Sequence, residues 1–538
     1  MSLRNHVVPA TISAFLLVLL TACGSSYNAP HPPPGGSFSN SDLKGTYVFS
    51  VAGSDSSGGF IAIAGTFTAD GNGNITGGTI DVNEPLVGAP ATGLTVSGGG
   101  YSVATDGRGG YRSGGGLTLT VGTSSIGFDF VLTSSQGGMI TEFDGGGSGS
   151  GTFALQSSVT QSAITGPWAF NLTGTAGFGT SLCGAVSPTG SVSIPFATAG
   201  AVTLAADGSV TAGIEDFNEN CVSIGGTSGL TITSGSVSLA TVPGTATFTA
   251  SNSQAYTYDV YPVDATHLKL IESDTSSFAV AGDMFTQTTS IPTANIYTLA
   301  GFDPLTDGPF SAAGILDTDG STVTGGTEDI NDAGTAQEVT SFGGSYTPLT
   351  GGRSLLTLNG GFINGGGLQA CLSCQFAVYP TTGGLQILEV DNAGMTGGIA
   401  YTQSATSIAS SQGYGLNLTG SNASSEEDDI AEFTNNSGTL TGLIDYNDQG
   451  VLNGDQVLHG TYAADTTISG RGTITWGTYQ LTTYVVDNAT TVFVETDANQ
   501  VGLGSFAEQT VPTVENPAMR HLMVLRMTPM LKKAARQR

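Results

Sequence analysis

The sequence predicts an all-β protein made of four tandem antiparallel β-domains of about eight strands each. The first observation behind this is a recurring stretch. GGTIDVNE (Gly77 to Glu84) returns as AGIEDFNE (Ala212 to Glu219), GGTEDIND (Gly325 to Asp332) and GLIDYND (Gly442 to Asp448). Each copy keeps a pair: Asp81 with Asn83, Asp216 with Asn218, Asp329 with Asn331, Asp445 with Asn447. A spacing of roughly 115 to 135 residues is too long for a solenoid unit and fits whole domains. The second observation is composition: 81 Gly, 10% charged and 39% hydrophobic residues among 538 describe a folded chain rich in strands and turns. The third is strict alternation at the start of every copy.

In the first domain GTYVFSV places Tyr47, Phe49 and Val51 on one face of a strand. Trp168, Phe170 and Leu172, then Tyr297 and Leu299, then Tyr414, Leu416 and Leu418 repeat it. Strand two, GTFTA, closes at Asp70-Gly71, and Asp207-Gly208 and Asp319-Gly320 hold the same place. Strand three carries the Asp-x-Asn pair. Further strands are expected near Leu94 to Thr105, Gly110 to Val121, Ile126 to Thr133, Gly138 to Asp144 and Gly151 to Gln156. The last pair recurs too: Glu142 and Asp144, Glu272 and Asp274, Glu389 and Asp391, Glu495 and Asp497, each copy ending near Gln156, Gln287, Gln403 or Gln509.

These signals set β-domains at 41–157, 163–288, 292–404 and 408–510, each expected to fold alone. An up-and-down barrel is the expected closure, because it removes exposed strand edges, and a β-sandwich is the alternative. The order of Cys, Trp and Cys that marks immunoglobulin domains is missing.

The net charge is -29, and six of the 13 basic residues lie beyond Glu515. Between Cys23 and Glu515 only Lys44, Arg108, Arg112, Lys269, Arg353 and Arg471 are basic. Such domains repel phosphate, which argues against nucleic acid and leaves cations, glycans or proteins as partners.

Residues 1–22 read as an export signal, with basic Arg4 ahead of an apolar run too short to span a bilayer. Leu20-Thr21-Ala22-Cys23 resembles the lipobox of bacterial lipoproteins. That resemblance implies cleavage before Cys23 and lipidation of its thiol. Gly24 stands where an Asp would hold such lipoproteins at the inner membrane, so the outer membrane or cell surface is expected. Residues 23–40, rich in Pro, Gly and Ser, are then a tether. Gly166-Pro167-Trp168 resembles the Gly-x-Trp of the first lipocalin strand. The whole is similar to secreted bacterial lipoproteins with Gly-rich β-repeats, a likeness that implies no activity. Residues 511–538, basic and rich in Met, suit either a surface-lying amphipathic helix or an unstructured tail.

Export implies an oxidising compartment, so Cys183 with Cys221 and Cys371 with Cys374 are expected as disulfides. No His or Cys pair follows Cys374 at zinc spacing. Asp70, Asn72 and Asn74 have calcium-loop spacing with Asp81 twelfth, but Ile75 takes the place of the turn glycine, and a hairpin turn is expected instead. Two readings of the recurring acids stay open. Alternation puts Glu389 on the face of Leu385 and Ile387, and Glu495 on that of Phe493; if that face is internal, each domain buries a carboxyl that must accept hydrogen bonds, take a proton or bind a cation such as calcium. Otherwise the strand ends there and both acids face water. Glu142, Asp144, Glu272, Asp274, Glu389, Asp391, Glu495, Asp497, Asp81 and Asn83 are therefore the candidate cation or ligand residues. A carboxylate pair could hydrolyse glycosides, but fourfold repetition favours architecture or binding over catalysis. No cofactor is expected. The expected role is a non-enzymatic, multivalent binding or adhesion module, with a surface spacer as the alternative.

Overall fold

The computed structural model describes residues 32–511 except 35, 86, 111–115, 180, 184, 187–191, 275–277, 307, 364–369 and 422–424. Cys23, the signal segment, the start of the tether and the tail beyond 511 lie outside the described residues.

Each repeat closes as an eight-stranded antiparallel barrel in which consecutive strands are neighbours and the last pairs with the first. The sandwich alternative is thereby excluded. Barrel 1 runs through Lys44–Asp55, Phe60–Asp70, Asn74–Asn83, Ala91–Gly100, Leu117–Val121, Ser124–Ser134, Gly137–Glu142 and Gly147–Leu155. A further two-residue strand, Arg108–Gly109, pairs with Ser124–Ser134. Barrels 2, 3 and 4 open with Gly166–Gly179, Ala294–Asp303 and Gln412–Ser421 and close with Ala279–Thr286, Met395–Thr402 and Val501–Glu508. The fourth strand of barrel 1 ends at Gly100, short of the expected Thr105, and Tyr101 beyond it donates its hydroxyl to the carbonyl of Leu43 at 2.8 Å.

Alternation decides the inside of each barrel. Tyr47, Phe49 and Val51 join Phe67, Phe128, Phe130 and Phe153 in one core, and Trp168, Phe170 and Leu172 join Phe248 and Tyr258 in the next. The lumens are filled. Among Tyr297, Tyr346, Phe362 and Phe376 of barrel 3 the remaining cavity is about 10 Å³, room for one water at most. Phe38 also belongs to the barrel 1 core, so packing begins before Ser41.

Asp70 is a turn residue. Its carboxylate accepts the amides of Asn72 at 2.7 Å and Asn74 at 3.1 Å and the Asn74 side chain at 2.8 Å. These bonds hold its pKa down at about 2, and Asp207 and Asp319 repeat the device with Ser209 and Ser321. Cys183 is bonded to Cys221, with Cα atoms 5.0 Å apart, and Cys371 to Cys374, 5.7 Å apart.

Trp168 is fully buried and its indole N–H donates to the carbonyl of Ile164 at 2.8 Å. Trp168→Ala is expected to destabilise the protein by about 3–5 kcal/mol in chemical denaturation. A loss below about 1 kcal/mol would mean that the ring is not part of the core.

Candidate functional site: the four seams between barrels

Because Ile80, Phe217, Ile330 and Ile444 of the third strands point into the cores, their neighbours Asp81, Asp216, Asp329 and Asp445, with the paired asparagines, point outward. All eight are nevertheless buried, at 4% exposure or less. What covers them is the following barrel, and for barrel 4 it is barrel 1. The four barrels therefore close into a ring.

The asparagines bind the Glu-x-Asp end of the next barrel. Asn83 donates to the carbonyl of Glu272 at 3.1 Å and to its carboxyl at 2.6 Å. Asn218 reaches the carbonyls of Glu389 and Gly394, at 3.2 and 3.0 Å. Asn331 reaches those of Glu495, Asp497 and Gln500, at 3.0, 3.0 and 2.9 Å. Asn447 closes the ring on Glu142 at 2.6 Å and Gly147 at 2.8 Å.

The aspartates take hydroxyls and guanidiniums from the same neighbours. Tyr261 donates to Asp81 at 2.6 Å, Tyr379 to Asp216 and Tyr484 to Asp329, from equivalent points of the sixth strands. Arg353 grips Asp216 in a fork at 2.7 and 2.8 Å, and Arg471 grips Asp329 likewise. Barrel 1 has Val131 at the tyrosine position, and Arg108 from its extra strand bonds Asp445 at 3.0 Å instead. In barrel 2 the position of Arg353 is Pro243. Asp81 thus meets no guanidinium among the described residues, and burial, with Asp259 nearby, pushes its pKa up to about 7. The cation of that seam is Lys269, 2% exposed, which bonds Ser50 and Thr152 of barrel 1 and Asp283 of its own barrel. Four of the five described basic residues thus lie one to a seam.

Apolar contact completes each seam. Val48, Ala62 and Ala64 pack on Tyr261, Val263, Ile271 and Ala281, and Ala197, Ala199 and Ala201 pack on Tyr379, Leu388 and Val390. Alanine on the outward side of the second strand lets two barrels approach closely. The closing glutamines extend the contact: Gln156, Gln403 and Gln509 donate to the carbonyls of Pro262, Val485 and Leu132, which are equivalent positions.

The Glu-x-Asp residues have separate duties. Asp144, Asp274, Asp391 and Asp497 accept the amides of Gly127, Thr257, Gln375 and Gln480, all equivalent, and so tie the rim of each barrel. Glu142, Glu272, Glu389 and Glu495 lie beneath them at 3% exposure or less, which rules out the reading in which both acids face water. Glu389 accepts the amides of Gly394 and Thr396 at 2.8 and 2.9 Å. Burial first, and the neighbouring aspartates second, raise Glu142 to about 8 and Glu272 and Glu495 to about 9, with Glu389 also well above the carboxylate range. Among the described residues no three His, Cys, Asp or Glu side chains are grouped to hold a metal ion.

Sequence reasoning singled out the acids and missed their partners. The Tyr-Pro dipeptides at Tyr261 and Tyr379, and the very scarcity of Arg and Lys, were the available signals.

Two predictions follow from the seams. A glutamate pKa raised from about 4.5 to 8–9 means that the protonated form holds the fold; its stabilisation is complete below pH about 4.5 and is lost as pH rises through 8–9. Unfolding free energy should therefore fall from pH 5 to pH 9, by up to about 1.4 kcal/mol per pH unit for each group, with melting temperature falling alongside, and replacing Glu142, Glu272 and Glu495 by Gln should flatten the curve. A wild-type curve flat over that range would refute the assignment. Arg353→Ala should destabilise by about 3–5 kcal/mol, since Asp216 would be left charged and buried, and Arg353→Met with Asp216→Leu should recover much of the loss. Equal damage from single and double variants would place the effect elsewhere.

A comparison with protein-family models finds no match, and neither does a comparison with curated proteins. Among solved structures the chain is similar to intact Ap-TbpB (N and C lobes), at 10% identity over 70% of this chain and 84% of that one, with a TM-score of 0.17. It is also similar to a mutant of the vaccine antigen transferrin binding protein B from Haemophilus parasuis Hp5, at 10% identity over 70% and 83%, with a TM-score of 0.19. Scores this low assign neither fold nor function.

Proposed function

We propose that the chain is a non-enzymatic envelope protein, anchored by lipid at Cys23, whose four barrels act as one rigid binding head. The observation behind this is that the lumens are filled while the barrels are joined through buried seams, so that ligands meet the outer surface of the ring and the clefts between barrels. A ring of four related units suits a repetitive partner such as a surface glycan or a protein. His267 favours a non-catalytic reading: it stacks on Phe285 with ring centroids 4.3 Å apart and bonds Asp283, as part of the seam around Lys269.

A purely structural head is the second reading, favoured by the use of every recurring Asp-x-Asn pair in holding barrels together. A glycan array probed with the soluble chain 24–511 separates the two: reproducible binding to a glycan class supports the binding head, and a blank array supports the spacer. Anchoring is tested apart from this. Cys23→Ser should abolish acyl labelling and release the protein from the membrane fraction, and unchanged labelling would remove the lipid anchor from the account.

A further inference from the structure

Where barrel 4 returns to barrel 1, the first strands of all four barrels contribute to one open cleft of about 410 Å³. Its wall is built from equivalent positions. Ala52, Thr173, Phe302 and Thr419 each stand five residues after the aromatic that opens their barrel, at Tyr47, Trp168, Tyr297 and Tyr414. Ser54 and Thr175 follow two residues later in their strands, and Phe60, Pro195 and Glu426 stand across from Ser54, Thr175 and Ser421 on the second strands. No single barrel has this cleft. It exists because barrel 4 returns to barrel 1, which brings Glu426 against Ser54, whose hydroxyl donates to the Glu426 carboxyl.

The volume falls in the ordinary range for small-ligand sites, roughly 300–1,000 Å³. The lining is one carboxyl, two phenyl rings and the hydroxyls of Ser54, Thr173, Thr175 and Thr419, with no basic side chain. Arg108, Lys269, Arg353 and Arg471 are held in the seams and do not line it. Burial first, and Asp428 with Glu142 beyond it, hold the Glu426 carboxyl well above the usual carboxylate range, so that it keeps a proton until a cation takes its place. Phe60 reaches from barrel 1 across to Gly174 of barrel 2, where even a Cβ would stand 3.0 Å from the ring.

We infer that this cleft binds a small organic molecule through a primary ammonium group. The ammonium displaces the Glu426 proton to solvent and the carboxylate so formed supplies a charge-assisted hydrogen bond, hydroxyl oxygens accept the remaining N–H donors, and the faces of Phe60 and Phe302 attract the cation and cover its carbon chain. An anion would meet acids with no basic side chain in the lining to pair with it, and a neutral alcohol would displace no proton and form no ion pair. The inference rests on the reading of the ring as a binding head and names one site on it.

The test is calorimetric titration of the soluble chain 24–511 with butylammonium chloride in about 150 mM NaCl, where diffuse attraction to an acidic surface is screened. Butanol and sodium butyrate serve as neutral and anionic counterparts. Saturable binding of one butylammonium per chain is expected, weakened about tenfold or more by E426Q and about threefold or more by Phe302→Leu. Both variants should melt like the parent. Butanol binding as tightly as butylammonium, affinity unchanged in E426Q, or no saturable binding at all would each overturn the assignment. None of these results bears on the glycan array, which reads the outer surface of the ring, so the binding head and this site fail separately.

Discussion

The structure depends on one repeated contact: an aspartate and an asparagine, two residues apart on the outward face of a third strand, are covered by the next barrel and bonded there. A carboxylate removed from water destabilises the fold unless donors surround it. The chain supplies tyrosine hydroxyls from the sixth strands and, in three of four cases, an arginine. So few bases remain that their placement amounts to a wiring plan. One lies at each seam, and the acids elsewhere rely on backbone amides, hydroxyls or a retained proton.

Ring closure changes what fourfold repetition means. Beads on a string offer separate sites and avidity, whereas barrels joined on two sides move together. Each barrel carries two different faces, strands one to three toward its successor and strands six to eight toward its predecessor. Cutting one repeat free would expose Val48, Ala62 and Ala64 and leave Asp81 and Asn83 without the partners they have in barrel 2. The seams also differ. That between barrels 1 and 2 has a lysine set on Asp283 and, among the described residues, no guanidinium for Asp81, and that between barrels 4 and 1 replaces tyrosine by Val131 and takes its arginine from an inserted strand.

Much of the fold was legible in the sequence because local rules governed it. Alternation around Tyr47, Trp168, Tyr297 and Tyr414, turns at Asp-Gly and eight strand signals per repeat sufficed for closed barrels. The site was legible only as recurrence. Asp81 and Asn83 stood out, but a period of two says which side of a strand a residue faces and nothing about what lies beyond that side. An outward Asp reads as solvent-exposed or as a ligand until the neighbouring domain is seen, and the glutamates are buried for the same reason. Alternating alanines at Ala62 and Ala64, or at Ala197, Ala199 and Ala201, were the strongest hint that an outward face was covered, because small residues on an exposed strand gain nothing there.

The central claim is that the four barrels are one cooperative body. Differential scanning calorimetry of the chain 24–511, with and without Asn447→Ala at the seam that closes the ring, tests it most directly. The account predicts a single transition for the parent and a shift of that whole transition to lower temperature in the variant. Four resolved transitions, with only those of barrels 4 and 1 responding to Asn447→Ala, would contradict it.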